Sequence, residues 1–160
     1  MKKFFVIAGC ILFIIACSNA DKKESSSATD NKESAGQSAD AKKAELDAKR
    51  GIGKFTNVEV SPTLDQTMAA AGTTVYDVKC ASCHKLSDER LVGPGWKDVT
   101  KRRTAEWIMN FTTNPDEMLD KDAEAQAMLE ICMVRMPNQS LTDADARHVF
   151  EFMRKNDGVK

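Results

Sequence analysis

The chain has 160 residues, the length of one ordinary domain, and its formal net charge is only −1 at pH 7. A nearly balanced charge and a sequence pI of about 6.1 do not favour a nucleic-acid partner, since such proteins usually carry a basic surface. The apolar run from Phe4 to Ala16 has 13 residues, fewer than the roughly 20 that span a bilayer. No later run approaches that length, so we expect no transmembrane helix in the mature chain.

Residues 1–16 have the pattern of a secretory signal peptide, because Lys2 and Lys3 precede the apolar run. The run ends in Ile-Ile-Ala directly before Cys17, which resembles a bacterial lipobox, the motif whose cysteine becomes the lipidated first residue of the mature protein. Cys10 lies in a second such pattern, but cleavage there leaves an apolar segment of about six residues, below the usual length of about 7 to 15. We therefore predict lipidation at Cys17; the alternative is an ordinary secretory signal that happens to contain a cysteine.

A hydrophilic segment follows over residues 18–50, in which Leu46 is the only large apolar side chain. Such a segment buries too little apolar surface to offset the entropy cost of ordering it. We predict that residues 17–50 comprise the lipidated cysteine and a flexible tether, with an r.m.s. span of roughly 30 Å. The tether would connect a membrane to one folded domain over residues 51–160.

From residue 51 onwards the apolar pattern predicts helices separated by turns, and nothing in it indicates a βαβ unit. Residues 55–60 alternate weakly and predict a short extended segment before Pro62. For residues 51–62 as a whole we expect only packing on the domain surface. Residues 65–79 carry apolar side chains at helical spacing. These side chains are Met68, Ala71, Val75, Tyr76 and Val78.

Three further helices are predicted in the second half of the domain. Thr104 is the expected N-cap of one, which ends at Asn114, where Asn-Pro-Asp-Glu caps and opens a short helical turn. A second helix is predicted from Asp122 to Cys132, and Thr142 is the expected N-cap of the last, with two aspartates in its first turn. The predicted fold is all-α, with about four to five helices. The side chains expected to be buried are Trp107, Ile108, Phe111, Met128, Leu129, Cys132, Val149, Phe152 and Met153.

Cys80, Cys83 and His84 have the Cys-x-x-Cys-His spacing of a haem-attachment site. Two thiols three residues apart at the end of a helix can each add to one haem vinyl group, and the adjacent imidazole becomes an axial ligand of the iron. The motif therefore predicts one covalently bound haem c. A zinc site is the alternative, but Cys132 and His148 do not form the second spaced pair of a structural zinc site. Cys132 is then expected as a small buried hydrophobe or, alternatively, as one half of an intermolecular disulfide.

The sixth ligand of such an iron must come from downstream, and Met136 is the best candidate because a thioether is a soft, neutral ligand suited to iron. It lies in a predicted loop, and Pro137 biases it towards an extended backbone. Met133, one turn earlier, is the reserve candidate. His148 is the other alternative, but it lies at a polar position of the last helix, where we expect an exposed side chain. The remaining candidates lie in predicted helices, where core packing is the ordinary role of methionine: Met109, Met118 and Met128.

Residues 65–154 resemble a class I cytochrome c, the small bacterial type whose haem iron has His and Met ligands. Gly72 and Tyr76 match the family's Gly-x3-aromatic-x3-Cys first helix, which ends at the first cysteine of the haem motif. Residues 91–99 resemble the loop after that motif, and residues 136–143 resemble the distal methionine loop and the start of the terminal helix. The resemblance covers most of the predicted domain and implies a small cytochrome c fold around one covalent haem.

The resemblance also implies roles for individual residues. The carbonyl of Pro94 would accept a hydrogen bond from Nδ1 of His84 and so fix the orientation of the ring. Arg102, Arg103 and Trp107 would bind the haem propionates, since cationic and indole N–H donors suit carboxylates. Alternatively, the two arginines are surface cations and the indole belongs to the core.

Two more implications concern the helix crossing and the distal amide. Gly72 would let the terminal helix cross closely, against Val149 and Phe152. Some relatives place an Asn side chain near the methionine sulphur. Here Asn138 comes one residue early and Gln139 holds that offset, so both amides are candidates.

A haem whose axial positions are both filled by protein has no open position for substrate, so we expect a one-electron carrier rather than an enzyme. The resemblance implies redox partners: a quinol-oxidising complex upstream and a terminal oxidase or other reductase downstream. We expect a monomer, held by its lipid to a membrane that faces the periplasm, either inner or outer. The alternatives are a fixed subunit of a larger oxidoreductase, and a haem sensor or peroxidase-like protein in which Met136 is displaced.

Overall fold

The computed structural model describes residues 49–160, so the predicted signal peptide, Cys17 and most of the predicted tether lie outside the described residues. Between residues 50 and 160 the chain forms six helices and no β-sheet, which confirms the predicted all-α fold. Within this range no helix combines the length and apolar character needed to cross a bilayer. The helices are α1 (Gln66–Lys79), α2 (Val99–Arg102), α3 (Ala105–Thr113), α4 (Pro115–Lys121), α5 (Ala123–Cys132) and α6 (Asp143–Asn156).

The terminal helices α1 and α6 make the most extensive helix–helix contact in the described chain, and they cross at Gly72. Val149 and Phe152 of α6 are buried, as predicted. Val78, one of the apolar residues whose spacing predicted α1, is 77% exposed. It follows Tyr76 by two positions, or about 200° around the helix, so it lies on the face opposite to the buried tyrosine.

Side-chain caps begin three of the helices; Thr104 and Thr142 are the predicted N-caps, and Asp122, predicted as the first residue of its helix, is the third. Thr104, Asp122 and Thr142 each accept a hydrogen bond from the backbone N–H three residues later. Thr142 and Asp145 also form a reciprocal capping box. Asn114 differs, because it lies between α3 and α4 but makes no capping hydrogen bond, and its amide bonds instead to a glutamate in the first turn of α4.

Residues 50–58, which we call the strap, lie along α3 without forming a strand. The buried Asn110 of α3 organises the strap: its Oδ1 accepts from the N–H of Phe55 at 2.9 Å, and its Nδ2 donates to the carbonyls of Arg50 and Phe55. Gly53 (φ +152°) is needed here, since a Cβ at this position would lie 2.4 Å from Oδ1 of Asn110. Specific hydrogen bonds to Asn110, rather than surface packing alone, therefore hold the strap on α3.

The core lies mainly between α1, α3, α4 and α6, and one side of it opens into a cleft. Phe111, Met128 and Leu129 are only partly buried, because they line that cleft. The predicted core residues that are fully enclosed are Trp107, Ile108, Met109, Met118, Val149, Phe152 and Met153.

Candidate functional site

The Cys-x-x-Cys-His segment forms a tight turn directly after α1. The N–H of Cys80 bonds to the carbonyl of Tyr76 at 2.9 Å, and the carbonyl of Cys80 accepts from the N–H groups of Cys83 and His84. This turn leaves Cys80 buried and brings Cys83 and His84 to the wall of the cleft. Burial raises the pKa of the Cys80 thiol to about 11, so this thiol is neutral at pH 7.

The ring of His84 is oriented by a hydrogen bond between its Nδ1 and the carbonyl oxygen of Pro94, at 2.9 Å. A carbonyl can only accept, so Nδ1 carries the proton and Nε2 keeps a lone pair for a metal ion. Burial lowers the pKa of His84, so the ring is neutral at pH 7. Gly93 permits this packing, since a Cβ there would lie 2.3 Å from Cε1 of the ring. The hydrogen bond that the resemblance implied is therefore present.

Two aromatic side chains support His84 from behind. The ring centroids of His84 and Trp96 are 5.4 Å apart, and Trp96 in turn lies 5.1 Å from Tyr76. The hydroxyl of Tyr76 donates to the carbonyl of His84 at 2.8 Å. Because Tyr76 also packs against Phe152 of α6, the imidazole is tied to the crossing of the terminal helices. The sequence pattern gave Trp96 no role of its own; the available signal was a tryptophan in a Gly-Pro-Gly loop.

A cleft of about 300 Å³ opens beside His84, and a smaller cavity of about 60 Å³ shares part of its lining. His84 and Met136 line both spaces, so the two predicted axial ligands are brought to one site. Pro94, Phe111 and Met128 also line both, although no sequence pattern assigned the latter two to the site. The walls of the larger cleft are otherwise mainly apolar: Val92, Leu119, Leu129, Cys132, Val134 and Pro137.

The reserve candidate Met133 and the alternative His148 lie away from the cleft. Met133 is 82% exposed at the C-terminal end of α5, in a left-handed conformation (φ +58°), and is not among the residues that line the cleft. His148 is half-buried rather than exposed as predicted, and it does not line the cleft either. Met118 is buried in the core, as predicted, whereas Met128 lines the cleft.

Both candidate distal amides make contacts within their own loop. Asn138 is exposed, and its Oδ1 accepts from the N–H of Ser140 at 2.8 Å. Gln139 is half-buried, and its Nε2 lies 3.4 Å from the carbonyl of Pro137. Cys132 is only partly buried, because it lies on the cleft wall rather than in the core.

The three candidate propionate ligands have different surroundings. The Trp107 indole N–H donates to Oδ1 of Asp122 at 3.1 Å, so this donor is already used within the protein. Arg103 pairs with Glu124 at 2.7 Å, and its guanidinium covers the Trp107 ring. Arg102 donates to two backbone carbonyls of the preceding loop and lines the smaller cavity. The structure therefore favours the two arginines over the tryptophan as donors to an anionic group.

The residues present fit a haem group. The cleft combines the Cys83 thiol, an imidazole with a free Nε2 and a thioether in mainly apolar surroundings, and the second thiol of the motif, Cys80, is buried three residues before Cys83. The Nε of Arg103, which lines the smaller cavity, is buried without a hydrogen-bond partner among the described residues. A propionate carboxylate would provide that partner. Within residues 49–160, no group of three or more His, Cys, Asp or Glu side chains is arranged to hold a metal ion.

Comparison with known proteins agrees with this geometry. The family model described as cytochrome c matches residues 69–157. No curated protein sequence matches the chain. Among solved structures, a cytochrome c from Rhodothermus marinus is 30% identical with a TM-score of 0.64, and the match covers 70% of this chain and 94% of that one. An engineered cytochrome c from the same organism, Rma TDE, is 29% identical with a TM-score of 0.65, covering 72% and 97% of the two chains. The same engineered protein bound to a carbene intermediate gives 29% identity, a TM-score of 0.62 and the same coverage.

Proposed function

Because this chain belongs to the cytochrome c family and binds haem c covalently through Cys80 and Cys83, we propose that it is a class I one-electron carrier with His84 and Met136 as axial ligands. When bound, the haem iron supplies the one-electron redox chemistry. The observation that carries the proposal is that His84 and Met136 line the same cleft, although they come from opposite halves of the matched domain.

The proximal residues prepare the imidazole for ligation. The bond from Nδ1 to the Pro94 carbonyl fixes the tautomer and leaves Nε2 as the ligating atom. It also increases the electron density on the ring, which makes the imidazole a stronger donor. Trp96 and Tyr76 hold the ring in place, so little reorganisation of the protein accompanies a change of oxidation state.

The distal residues and the apolar walls set the redox preference. A neutral thioether from Met136 and a mainly apolar cleft both disfavour added positive charge at the iron. They therefore stabilise the ferrous form and raise the reduction potential relative to a haem with two histidine ligands. Arg102 and Arg103 would bind the propionates, with the buried Nε of Arg103 as one donor.

We extend the proposal to the cellular setting from the sequence of the first 50 residues. A lipid on Cys17 and a hydrophilic tail would hold a monomeric carrier beside a membrane that faces the periplasm. Restricting the carrier to this layer raises its effective concentration near membrane-bound partners, such as a quinol-oxidising complex upstream and a terminal oxidase or other reductase downstream. Intact mass of the exported protein tests this: we expect one haem and one lipidated cysteine, and an unmodified Cys17 contradicts the anchor.

The axial ligand is tested by replacing Met136 with alanine in the haem-loaded protein. The charge-transfer band between methionine sulphur and ferric iron should disappear in Met136→Ala, because this substitution removes the sulphur of the proposed ligand. Met128 of α5 is the one other methionine within residues 49–160 that lines both spaces. Met133→Leu is the matched control, since Met133 is exposed and should leave the band unchanged. A band that survives in Met136→Ala but not in Met133→Leu would reverse the assignment.

A further inference from the structure

The segment that carries Met136 is held against the domain through side chains rather than through backbone hydrogen bonds. We call residues 134–141 the Met136 loop; no backbone–backbone hydrogen bond connects it to any other described residue. Met133 before the loop (φ +58°) and Ser140 within it (φ +52°) are non-glycine residues in the left-handed region, which favours glycine. Local backbone preference and backbone hydrogen bonding therefore do little to hold this segment against the cleft.

Two cationic side chains connect the Met136 loop to the rest of the domain. Nζ of Lys79 donates to the carbonyl of Gln139 at 2.9 Å. At the other end, Nη2 of Arg135 lies 3.0 Å from Oδ1 of Asp120 and 3.6 Å from Oδ1 of Asp116, both on α4. The remaining side-chain bonds of the loop, from Ser140 to Asn138 and from Gln139 to Pro137, are internal to it.

The two anchors, Lys79 and Arg135, connect the loop to two different parts of the fold. Lys79 is the last residue of α1 and directly precedes Cys80, so its bond joins the haem-attachment segment to the distal loop. Arg135 directly precedes Met136, so its ion pair fixes the neighbouring residue against α4. One anchor thus acts from the proximal side of the cleft, and the other acts from the core helices.

We propose that Lys79 and Arg135 are positioning residues that hold Met136 in its ligating position and so set how readily an external ligand displaces it. This inference rests on the proposed role of Met136 as axial ligand. Each anchor biases the equilibrium between a closed loop, in which the sulphur faces the cleft, and an open loop, in which the sixth position is accessible. The apparent affinity for an external ligand rises with the open fraction.

The size of the effect follows from the kind of contact. An ion pair or charged hydrogen bond of this sort, exposed for Arg135 and partly buried for Lys79, changes such an equilibrium by about two- to five-fold. The anchors share no residue, so their effects should multiply to about 4- to 25-fold when both are removed. Loss of an anchor should also lower the reduction potential, since methionine ligation favours the ferrous form.

The experiment is a titration of the ferric, haem-loaded full chain with imidazole, which competes for the sixth position. Lys79→Met and Arg135→Met should each bind imidazole about two- to five-fold more tightly and show a weaker sulphur–iron band, and the double variant about 4- to 25-fold more tightly. Lys79→Arg and Arg135→Lys keep the positive charge, so each should bind imidazole almost as weakly as the original protein does. Lys101→Met is the matched control: Lys101 forms an exposed ion pair with Asp98, and no hydrogen bond or ion pair of the described residues connects Lys101 to the Met136 loop, so the affinity should not change.

Met136→Ala separates failure of this inference from failure of the proposed function. If Met136→Ala binds imidazole far more tightly while the anchor variants bind it as the original protein does, the anchors do not position the methionine. If Met136→Ala itself is unchanged, Met136 is not the ligand and the proposed function fails in that respect. Lower unfolding midpoints in the anchor variants without any change in imidazole affinity or potential would indicate a merely structural role and overturn the inference.

Discussion

The backbone of Gly72 in α1 lies directly against the carbonyl of His148 in α6. A Cβ on Gly72 would lie 2.0 Å from that carbonyl oxygen and 2.8 Å from Cβ of Phe152. Because the obstacle is backbone, no rotation of a side chain can relieve the overlap, and the helices would have to separate. The position of Tyr76, and through it His84, depends on this crossing.

We expect Gly72→Ala to destabilise the domain by about 3 kcal/mol, because an extra carbon is forced into a closed helix contact. Chemical denaturation of the haem-loaded protein measures the change. Thr74→Ala, at an exposed position of the same helix, is the control and should differ little from the original protein. A Gly72→Ala variant as stable as the control would show that the terminal helices can repack.

Gly93→Ala should raise the reduction potential if His84 remains bound. The added Cβ would lie 2.3 Å from Cε1 of the imidazole, so the ring must move away from the Pro94 carbonyl. A weaker bond at Nδ1 makes the imidazole a poorer donor, which stabilises the ferrous form. Potentiometric titration measures the shift, with Leu91→Ala as control, since Leu91 is exposed and is not among the residues that line the cleft. A downward shift or none would mean that the Pro94 bond does not tune this ligand.

Met133→Gly should stabilise the domain by about 0.5 to 1 kcal/mol. Met133 ends α5 in a left-handed conformation that glycine adopts without steric cost, and its side chain is almost fully exposed. Met133→Val should instead destabilise it, since β-branched residues avoid this conformation. Thermal unfolding compares the two. Equal midpoints for the two variants would contradict the assigned backbone conformation.

Asn110→Ala should release the strap at a cost of about 3 kcal/mol, since it removes three hydrogen bonds between the Asn110 side chain and the backbone of residues 50–58. We expect faster limited proteolysis within the strap and an unchanged haem spectrum, because Asn110 does not line the cleft. Asn57→Ala, an exposed strap residue, is the control. Loss of the sulphur–iron band in Asn110→Ala would show that the strap also supports the distal side.

The capping box of α6 should contribute to stability in a pH-dependent way. Hydrogen bonds from the side chain and backbone N–H of Thr142 lower the pKa of Asp145 below its ordinary value of 3.8. A lowered folded-state pKa stabilises the fold above the unfolded value, and this contribution is lost as the pH falls through the folded one. The difference in unfolding midpoint between the original protein and Asp145→Asn should therefore be largest near about pH 6 and shrink towards about pH 2. A constant difference would exclude ionisation as its source.

Local features of this fold are predictable from sequence, and contacts between distant segments are not. Thr104 and Thr142 cap their helices as predicted, because a cap needs only the backbone three residues on. The haem motif is similarly local, since its spacing and its chemistry lie within five residues. The partner of Trp107 was not predictable, because Asp122 reaches the indole only after α3, α4 and α5 have packed together.

The same difference between local patterns and long-range contacts applies to Met136, the proposed ligand, and to Lys79, one of the residues proposed to position it. Met136 could be proposed as the axial ligand because methionine before proline in a loop is a local pattern. The contact from Lys79 to Gln139 joins residues far apart in the chain, and neither residue carries a signal of its own. Helical spacing alone also does not say where the buried face of a helix ends: Val78, one of the apolar residues that predicted α1, is exposed.

No backbone–backbone hydrogen bond joins the Met136 loop to the other described residues, and this affects how the sequence of such a protein can vary. Substitutions in a segment held through side chains can alter its shape while the helices that fold the domain stay unchanged. Inherited variation in residues 134–141, or in Lys79, could therefore change the reduction potential of the haem without destabilising the fold. The helices would then be constrained by the need to fold, whereas the Met136 loop would be free to vary under selection.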